Sequence, residues 1–495
     1  MFYKPRWRNG IRKGLKSPRA QVHAGPSPAL GTGFYIDMTK LISTNPADNY
    51  SKLGEVNIST DKEITEKVIN ANKAKVTWKE LGVEGRVKLL EPIRDEFRER
   101  KEEIAQLISK ETGKVISEST TEVTRYVDEL TWFLDNGSKA LKDVITLDDD
   151  KSLHRMIYEP YGVAACIAPW NFPLGMAVWG IFPNLVSGNV VIFKTSEECP
   201  LVGKLIEKIM LNHNLPIGVF SEVYGAGDVG KKLTESDINL IWFTGSTKVG
   251  KSLYKTAGNK FIKAVLEMGG SNPCVVFEDV DIDKAAPVIF GGRFRHCGQV
   301  CSALKRLIVH ENVEKELISA LKEIVERQKV GDPLNTNTDL GSLVAKRQHI
   351  LLNEQLKDAI DKGAKIVAQT KLPKALKGAF FPPTLLSNIT GEMRVWKEEV
   401  FGPIFPIVTF RTEEEAINLA NDTPYGLGAR VISKDIKRAE RVASKIDAGS
   451  ITLNYESRFL ACDPFGGYKN SGIGRERGIH GLQELCQVKV IQVSK

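Results

Sequence analysis

Residues 162–194 read GVAACIAPWNFPLGMAVWGIFPNLVSGNVVIFK, and no charged side chain precedes Lys194 in this stretch. Prolines and asparagines interrupt it at six positions, which argues against a membrane-spanning helix, and we expect no membrane partner. The pattern predicts a buried strand over 162–168, a buried helix over 174–187 and a second buried strand over 189–194. Strands that are apolar on both faces are typical of a parallel sheet, so the stretch is one βαβ unit.

The same alternation of strands and helices continues beyond this unit. The predicted segments are a helix over 201–211, a strand over 220–224, a helix from 229, a strand over 238–243 and a helix over 248–256. A second alternation begins after Glu267 with a strand over 273–277, and a charged, helix-periodic segment over 62–142 precedes both. Strands that alternate with helices form doubly wound sheets, so the fold class is α/β with two such domains.

Composition and charge exclude several classes of protein. The 495 residues are 42% hydrophobic and 26% charged, as in globular proteins and unlike disordered chains or small disulfide-rich modules. The net charge of +8 is concentrated in residues 1–37, where seven Lys and Arg face one acid. We expect this basic extension to be disordered, and an organellar targeting role for it is the alternative to a cytoplasmic location. The rest of the chain is nearly neutral, so we expect no nucleic-acid partner.

Cysteines and histidines give no sign of a metal centre. The seven cysteines form no CxxC pair, and the seven histidines form no HExxH or Cys/His cluster. We therefore predict no metal site. An odd number of scattered cysteines is typical of a reducing compartment, which favours the cytoplasm.

Two glycine-rich motifs favour a nucleotide near the first sheet. Residues 225–230 match GxGxxG after a strand, but the next strand ends without the acidic residue that holds a ribose in the dinucleotide fingerprint. We therefore interpret them as a tight strand-to-helix turn near a nucleotide. Residues 245–252 match GxxxxGKS in full, so a P-loop NTPase is a second functional hypothesis.

Cys301 and Cys297 are both candidates for a nucleophile. They follow two arginines, and a cationic neighbourhood favours the reactive thiolate. Glu267 ends an apolar run before a Gly-Gly turn, where a carboxylate tends to have a raised pKa and to act as a general base. Asn171 lies in a turn between two prolines and can donate its amide to an oxyanion. These residues alone leave the choice between the two cysteines open.

Six short motifs occur in the order and spacing of one enzyme family. They are PWNFP at 169–173, FTGS at 243–246, LEMGG at 266–270, GQVC at 298–301, EVFGP at 399–403 and PFGG at 464–467. From about residue 40 to its C-terminus the chain resembles the NAD(P)-dependent aldehyde dehydrogenases. The resemblance implies oxidation of a small-molecule aldehyde to a carboxylic acid, with NAD as the cofactor and NADP as the alternative.

The resemblance also implies a role for each matching residue. Cys301 resembles the nucleophile and Cys297 the neighbouring non-catalytic thiol. Glu267 resembles the base that activates water, and Asn171 with the backbone N–H of Cys301 resembles the oxyanion hole, which disfavours a third hypothesis of a silent scaffold. The residues implied to contact the cofactor are Trp170, Lys194, Glu197, Gly245, Ser246, Glu399 and Phe401. NAD is preferred because the Glu197 carboxylate would repel a 2′-phosphate on the ribose.

The substrate is suggested by three further stretches. GGSNP at 269–273, VGDP at 330–333 and FPPT at 381–384 resemble the succinate-semialdehyde dehydrogenase branch. That branch commonly holds the distal carboxylate with two arginines. Arg295 matches one of them, whereas Trp179 stands where the other would be. Arg458 is a candidate replacement; alternatively, Trp179 shapes an apolar tunnel for an uncharged aliphatic or aromatic aldehyde.

The resemblance implies a division of the chain into three folded parts. Residues 38–144 and 164–267 would form the cofactor-binding domain, and residues 268–477 the catalytic domain. Residues 145–163 and 478–495 would form a small β element that consists of a hairpin and the C-terminal strand. Because the apolar edge of that strand needs to be covered, we expect a homodimer or a homotetramer.

Overall fold

The structure, a computed structural model, describes residues 39–456 and 458–495, so the basic extension at 1–37 lies outside the described residues. As far as Glu267 the elements in chain order are β1 (Lys40–Asn45), β2 (Ser51–Asn57), α1 (Asp61–Glu80), α2 (Gly82–Glu99), α3 (Lys101–Thr112), α4 (Ile116–Ala140), β3 (Val144–Asp148), β4 (Ser152–Pro160), β5 (Val163–Ile167), α5 (Pro173–Ser187), β6 (Val190–Lys194), α6 (Pro200–Leu211), β7 (Phe220–Val223), α7 (Gly227–Glu235), β8 (Leu240–Thr244), α8 (Thr247–Lys260) and β9 (Lys263–Glu267).

After Glu267 the elements are β10 (Asn272–Val276), α9 (Ile282–Phe294), β11 (Leu304–His310), α10 (Glu314–Glu326), α11 (Lys346–Asp361), β12 (Lys365–Gln369), β13 (Thr384–Ser387), α12 (Arg394–Lys397), β14 (Ile404–Phe410), α13 (Glu413–Asn421), β15 (Tyr425–Gly426), β16 (Gly428–Ile432), α14 (Ile436–Ala443), β17 (Ser450–Leu453), β18 (Tyr468–Lys469), β19 (Gly472–Ile473), α15 (Gly478–Glu484) and β20 (Cys486–Ser494). A short 3₁₀ turn (Arg295–Gly298) follows α9.

The first sheet carries the βαβ unit that the sequence predicts. Its six strands lie in the order β19-β9-β8-β5-β6-β7, and all neighbours are parallel except β19 and β9. Strands β5, β6 and β8 are buried along their whole length, as is the helix α5 between β5 and β6. That helix has 15 residues, and within 39–456 and 458–495 no helix is long and apolar enough to cross a membrane. The predicted βαβ unit and the α/β class are confirmed.

The second sheet is built by the second alternation of strands and helices. Its seven strands lie in the order β12-β13-β14-β11-β10-β16-β17, and β12 runs antiparallel to β13 while the other neighbours are parallel. The chain passes from the first sheet to the second between Glu267, which ends β9, and Asn272, which begins β10. The segment with the two candidate cysteines lies between α9 and β11.

A third sheet has three strands, which come from two distant segments of the chain. Strands β3 and β4 form a hairpin, and β20 pairs antiparallel with β4 along nine residue pairs. The outer strands expose apolar side chains, among them Val144, Ile145, Val488 and Val490. These strand edges are therefore available for the contact between subunits that the sequence predicts.

A buried ion pair holds the start of α5, which follows the PWNFP turn. Lys114 and Glu122 are 1% and 0% exposed, and the ammonium donates to the carboxylate. The same ammonium donates to the backbone carbonyl of Asn171 at 2.7 Å. Glu122 also accepts bonds from the backbone N–H groups of Leu174 and Gly175 at 3.1 and 3.2 Å, so it caps a helix that has no cap of its own. The pair therefore fixes the position of Asn171.

We expect Lys114→Met to lower the free energy of unfolding by about 3–5 kcal/mol, because it leaves the Glu122 carboxylate buried without its counterion. Urea-induced unfolding followed by circular dichroism measures the change. The control is Lys62→Met, which breaks the exposed pair between Lys62 and Glu66 and should leave the unfolding curve nearly unchanged. Equal effects of the two substitutions would contradict this role of Lys114.

Candidate active site

A cavity of about 1240 Å³ lies where strand ends of the first and second sheets converge. The first sheet contributes residues that follow the carboxyl ends of β5, β6, β8 and β9. The second sheet contributes residues at the amino ends of β11, β16 and β17. Ligands of doubly wound sheets bind at the carboxyl ends of the strands, so the first sheet provides the candidate cofactor side.

Of the two cysteines that the sequence offers as a nucleophile, Cys301 lines the cavity. The Cys297 thiol is buried and donates to the backbone carbonyl of Gly341 at 3.2 Å. Burial raises the pKa of the Cys301 thiol to about 12, and the positive charge of Lys305 opposes that rise. Cys301 is therefore the cysteine of this pair that a ligand in the cavity can reach.

A turn of left-handed residues brings the cysteine segment to the cavity. His296 and Cys297 have φ angles of 49° and 52°, and Gly298 follows with a φ of 70°. Left-handed backbone is costly for residues other than glycine, so surrounding contacts must hold it. The Glu118 carboxylate provides one of them by accepting a bond from the backbone N–H of His296 at 2.9 Å. A side chain at Gly298 would come within 2.6 Å of the Gly402 carbonyl, so glycine is required there.

Asn171 lines the same cavity from the turn before α5. Its side-chain amide donates to the backbone carbonyl of Gln299 at 2.9 Å, and such an amide has a second hydrogen to donate. Its own backbone carbonyl is held by Lys114. Asn171 is thus bonded directly to the segment that precedes Cys301.

Glu267 ends β9 as predicted, but its carboxylate lies behind the cavity wall, where it is 2% exposed. A side chain at Gly466 or Gly472 would come within 2.8 or 3.1 Å of Glu267 Oε1, so glycines provide the space for this carboxylate. Burial, followed by the charge of Glu476, raises the pKa of Glu267 well above its ordinary value. The charge of Glu267 in turn raises the pKa of the Cys301 thiol, which places the two groups near each other.

Three predicted cofactor residues meet at one wall of the cavity. The Glu399 carboxylate accepts a bond from the backbone N–H of Gly270 at 3.0 Å and one from the Lys305 ammonium at 2.6 Å. The ring of Phe401 meets the ring of Trp170 edge-on, with 5.6 Å between centroids. Glu399, Phe401 and Trp170 all line the cavity.

The other predicted cofactor residues line the cavity on the side of the first sheet. Lys194 ends β6, and its ammonium lies 3.9 Å from the Glu197 carboxylate. Burial lowers the pKa of Lys194, whereas the charge of Glu197 raises it. Gly245 and Ser246 connect β8 to α8, and the Ser246 side chain caps that helix. Glycines of α7 line the cavity as well, which leaves a groove for a ligand along α7 and α8.

The P-loop interpretation of residues 245–252 is wrong. β8 ends at Thr244 and α8 begins at Thr247, so most of the motif is helix and its backbone N–H groups do not form a phosphate-binding loop. The lysine of the motif, Lys251, is exposed and lies outside the set of residues that line the cavity. Residues 225–230 form the strand-to-helix turn that the sequence predicts, since β7 ends just before them and α7 begins within them.

All three predicted substrate residues line the cavity, and each of them contacts another side chain. The guanidinium of Arg295 lies 5.8 Å from the centroid of a phenylalanine ring. The Trp179 indole donates to the Glu129 carboxylate at 2.6 Å. Arg458 pairs with Glu456 at 3.1 Å, so its charge is already partly compensated.

A further arginine, Arg125 of α4, lines the cavity and was not predicted. It donates to Glu129 at 3.0 Å, and its guanidinium lies 4.5 Å from the centroid of the Phe459 ring. That ring stacks on Trp179 with 6.4 Å between centroids. Arg125 therefore brings positive charge close to Trp179 from a different helix. In the sequence Arg125 and Glu129 have the spacing of an exposed ion pair on a helix, so nothing indicated that Arg125 lines a cavity.

Lys305 and Glu476 were also not predicted. Lys305 lies in the buried strand β11 and is 0% exposed, and its position at the start of a strand that continues with the apolar residues 307–309 was an available signal. Glu476 is buried next to Glu267, but it stands between two arginines in the sequence and resembles a surface loop. Among the described residues, no group of three or more His, Cys, Asp and Glu side chains could hold a metal ion.

Comparisons with known proteins agree with this arrangement. A model of the aldehyde dehydrogenase family matches residues 36–491. Betaine aldehyde dehydrogenase of Bacillus subtilis is 37% identical over 417 residues, which cover 83% of this chain and 85% of that protein. The mitochondrial succinate-semialdehyde dehydrogenase of Oryza sativa is 35% identical over 451 residues, which cover 90% of this chain and 85% of that protein.

Solved structures extend the similarity to the fold. The crystal structure of betaine aldehyde dehydrogenase from Staphylococcus aureus in complex with NAD+ matches with a TM-score of 0.87 at 33% identity. The match covers 92% of this chain and 91% of that one. The residues that the family model matches include both large sheets and every residue that lines the cavity. The chain therefore belongs to the aldehyde dehydrogenase family.

Proposed function

We propose that Cys301 is the nucleophile with which this aldehyde dehydrogenase converts its substrate to a carboxylic acid. The observation that supports this most is the position of Cys301 on the cavity wall, while Cys297 is buried and bonded to a backbone carbonyl. Asn171 lines the same cavity as an amide donor, and Glu267 lies just behind it as the base. Together these groups provide a nucleophile, an oxyanion donor and a proton acceptor.

The residues on the first sheet fit a nicotinamide dinucleotide. Lys194 and Glu197, 3.9 Å apart, offer a donor and an acceptor for the two hydroxyls of one ribose. The first backbone N–H groups of α8, next to Ser246, suit a pyrophosphate. Glu399 would hold the second ribose. When bound, the nicotinamide accepts a hydride; we propose NAD, because Glu197 repels a 2′-phosphate, and NADP is the alternative.

The chemistry of acylation follows from the residues at the cavity. The Cys301 thiolate attacks the aldehyde carbon, and the resulting oxyanion accepts bonds from the Asn171 amide and from the backbone N–H of Cys301. One such donor stabilises the transition state by about 3 kcal/mol. Loss of the hydride then leaves the acyl group on Cys301 as a thioester.

Hydrolysis of the thioester is assigned to Glu267. Its carboxylate must turn from the space beside Gly466 and Gly472 toward Cys301 and must be deprotonated to accept a proton from water. The acid product then leaves, and the free thiol is restored. The raised pKa of Glu267 makes it a stronger base than an exposed carboxylate.

We expect Cys301→Ser to reduce the formation of reduced nicotinamide by more than about 10³-fold with every aldehyde, because a serine hydroxyl is a much weaker nucleophile than a cysteine thiolate. Absorbance of the reduced cofactor measures the rate. Cys297→Ser is the matched control and should keep most of the activity. Loss of activity in Cys297→Ser alone would reverse the choice of nucleophile. An unmodified enzyme that oxidises no aldehyde would contradict the proposed function and favour a silent scaffold.

Deacylation should depend on pH through the two buried carboxylates. Because burial and Glu476 raise the pKa of Glu267, we expect thioester hydrolysis to increase as the pH rises through that raised value. Glu476→Gln removes the neighbouring charge and should shift the increase to lower pH, which single-turnover hydrolysis at a series of pH values measures. Glu484→Gln, whose carboxylate pairs with Lys263, is the control with an unshifted profile. An unshifted profile in Glu476→Gln would contradict the coupling.

We propose a short aldehyde with a distal carboxylate, such as succinate semialdehyde, as the substrate. Arg125, Arg295 and Arg458 are among the five arginines that line the cavity. They favour an anion over a cationic aldehyde. The similarity to a succinate-semialdehyde dehydrogenase supports this substrate, whereas a relative named for betaine aldehyde does not. The alternative is an uncharged aldehyde in an apolar tunnel shaped by Trp179.

We expect Arg295→Leu and Arg125→Leu each to raise the KM for succinate semialdehyde about tenfold or more, since each removes a charge-assisted hydrogen bond to the carboxylate. Butanal, which has the same chain length without the carboxylate, is the control substrate and should be affected much less. Arg458→Ala should change neither KM strongly, because Glu456 already compensates Arg458. A wild-type preference for butanal would favour the uncharged substrate.

We infer the assembly, the domain division and the location from the same resemblance. Residues 38–144 and 164–267 would form the cofactor domain and residues 268–477 the catalytic domain. The β element at 145–163 and 478–495 would pair subunits in a homodimer or homotetramer, through the apolar edges of β3 and β20. The cytoplasm is the proposed location, although one relative is named as mitochondrial.

A further inference from the structure

Lys305 is a buried cation that the mechanism above does not use. Its side chain is 0% exposed at the start of β11, and burial of an ammonium group is costly unless partners compensate it. The ammonium donates to the Glu399 carboxylate at 2.6 Å and to the backbone carbonyl of Cys301 at 3.0 Å. Both partners belong to the candidate active site, one as a cofactor ligand and one as the nucleophile.

Two other buried cations nearby illustrate a structural role. Arg306, the next residue, donates to the backbone carbonyl of Ser271 at 2.9 Å. Arg293 donates to backbone carbonyls within the segment 400–404. Bonds of this kind tie loops to strands. Lys305 differs from both because its ammonium joins a carboxylate on the cavity wall to the backbone of the nucleophile.

We propose, on the basis of the proposed function, that Lys305 is a positioning residue that fixes the Glu399 carboxylate to the backbone of Cys301 and places a positive charge beside the nucleophile. The Cys301 carbonyl also accepts a bond from the Asn272 side chain at 2.8 Å, so the backbone remains held without Lys305. The same Glu399 oxygen also accepts from Gly270, which fixes the orientation of the carboxylate. What Lys305 adds to this arrangement is its charge.

Three charged groups influence the Cys301 thiol from three different elements. They are Glu267 at the end of β9, Glu399 in the loop before β14 and Lys305 in β11. Burial and the two carboxylates raise the pKa of the thiol, and Lys305 opposes them. Without Lys305 the thiol would face two carboxylates and no compensating cation from this set. The thiolate would then form only at higher pH.

The rate at which iodoacetamide alkylates Cys301 tests this proposal, because it reports the thiolate without cofactor or aldehyde. In the full-length enzyme, mass spectrometry of the peptide that contains Cys301 gives this rate from about pH 6 to about pH 10. Because the thiolate fraction below the midpoint rises about tenfold per pH unit, the displacement of the rate along the pH axis measures the shift of the midpoint. The exposed Cys462 in the same sample is the internal reference. We expect Lys305→Met to raise the midpoint of the pH dependence by at least about one unit and to slow alkylation about tenfold near neutral pH. Lys263→Met should leave the midpoint unchanged.

Glu399→Gln distinguishes an electrostatic role from a structural one. It removes the counter-charge of Lys305 and should lower the midpoint, and adding it to Lys305→Met should recover most of the upward shift. If Lys305→Met does not fold, Glu399→Gln alone decides.

An unchanged midpoint in a folded Lys305→Met, or an unchanged or raised midpoint in Glu399→Gln, would overturn the inference. Alkylation requires no aldehyde, so failure of the proposed function would be seen separately, as a lack of aldehyde oxidation with the midpoint shifts intact.

Discussion

The desolvation of charged groups at the junction of the two sheets is the constraint on which the site depends. A cavity at the ends of buried parallel strands has largely apolar surroundings, and an ionised group placed there loses its hydration. Lys305 and Glu399 meet this constraint by pairing, which fixes their geometry. Glu267 and Glu476 are two carboxylates buried together, and their pKa values are raised. The first arrangement suits positioning, and the second suits the exchange of a proton.

The connection from the first sheet to the second requires a close contact between the backbone and a carboxylate. Gly269 and Gly270 connect β9 to β10, and a side chain at Gly269 would overlap Glu399 Oε2 at 2.0 Å. The backbone N–H of Gly270 donates to the same carboxylate. Glycine is therefore needed because the backbone itself approaches the carboxylate. The LEMGG motif therefore acts as one unit, in which Glu267 ends β9, Gly269 leaves space for the Glu399 carboxylate and the backbone of Gly270 donates to it.

The fold was predictable from the sequence because buried parallel strands are apolar on both faces, and β5, α5 and β6 differ from their predicted bounds by one or two residues. The residues alone did not decide between Cys297 and Cys301, although the family resemblance favoured Cys301, because the exposure of each thiol depends on the left-handed turn at 296–298, which no periodicity encodes. Arg125 was missed for a related reason. Its spacing to Glu129 is that of an exposed helix pair, and only the packing of α4 along α5 turns it into the cavity. The P-loop interpretation was wrong because residues 245–252 match the motif in sequence, whereas α8 already begins at Thr247.

The charge that the cavity presents to a ligand depends on which of its charged side chains are paired, and not only on their number. Glu129 is acidic, but it is 3% exposed and receives bonds from Arg125 and from the Trp179 indole, so it presents little charge to a ligand. Arg458 is compensated in a similar way by an exposed carboxylate. Arg295 lies over an aromatic ring and, within the described residues, forms no ion pair. Burial raises the pKa of the Glu118 carboxylate, and the charge of Arg295 opposes that rise. Trp179 shares the Glu129 carboxylate with Arg125, so α4 places a positive charge close to the tryptophan.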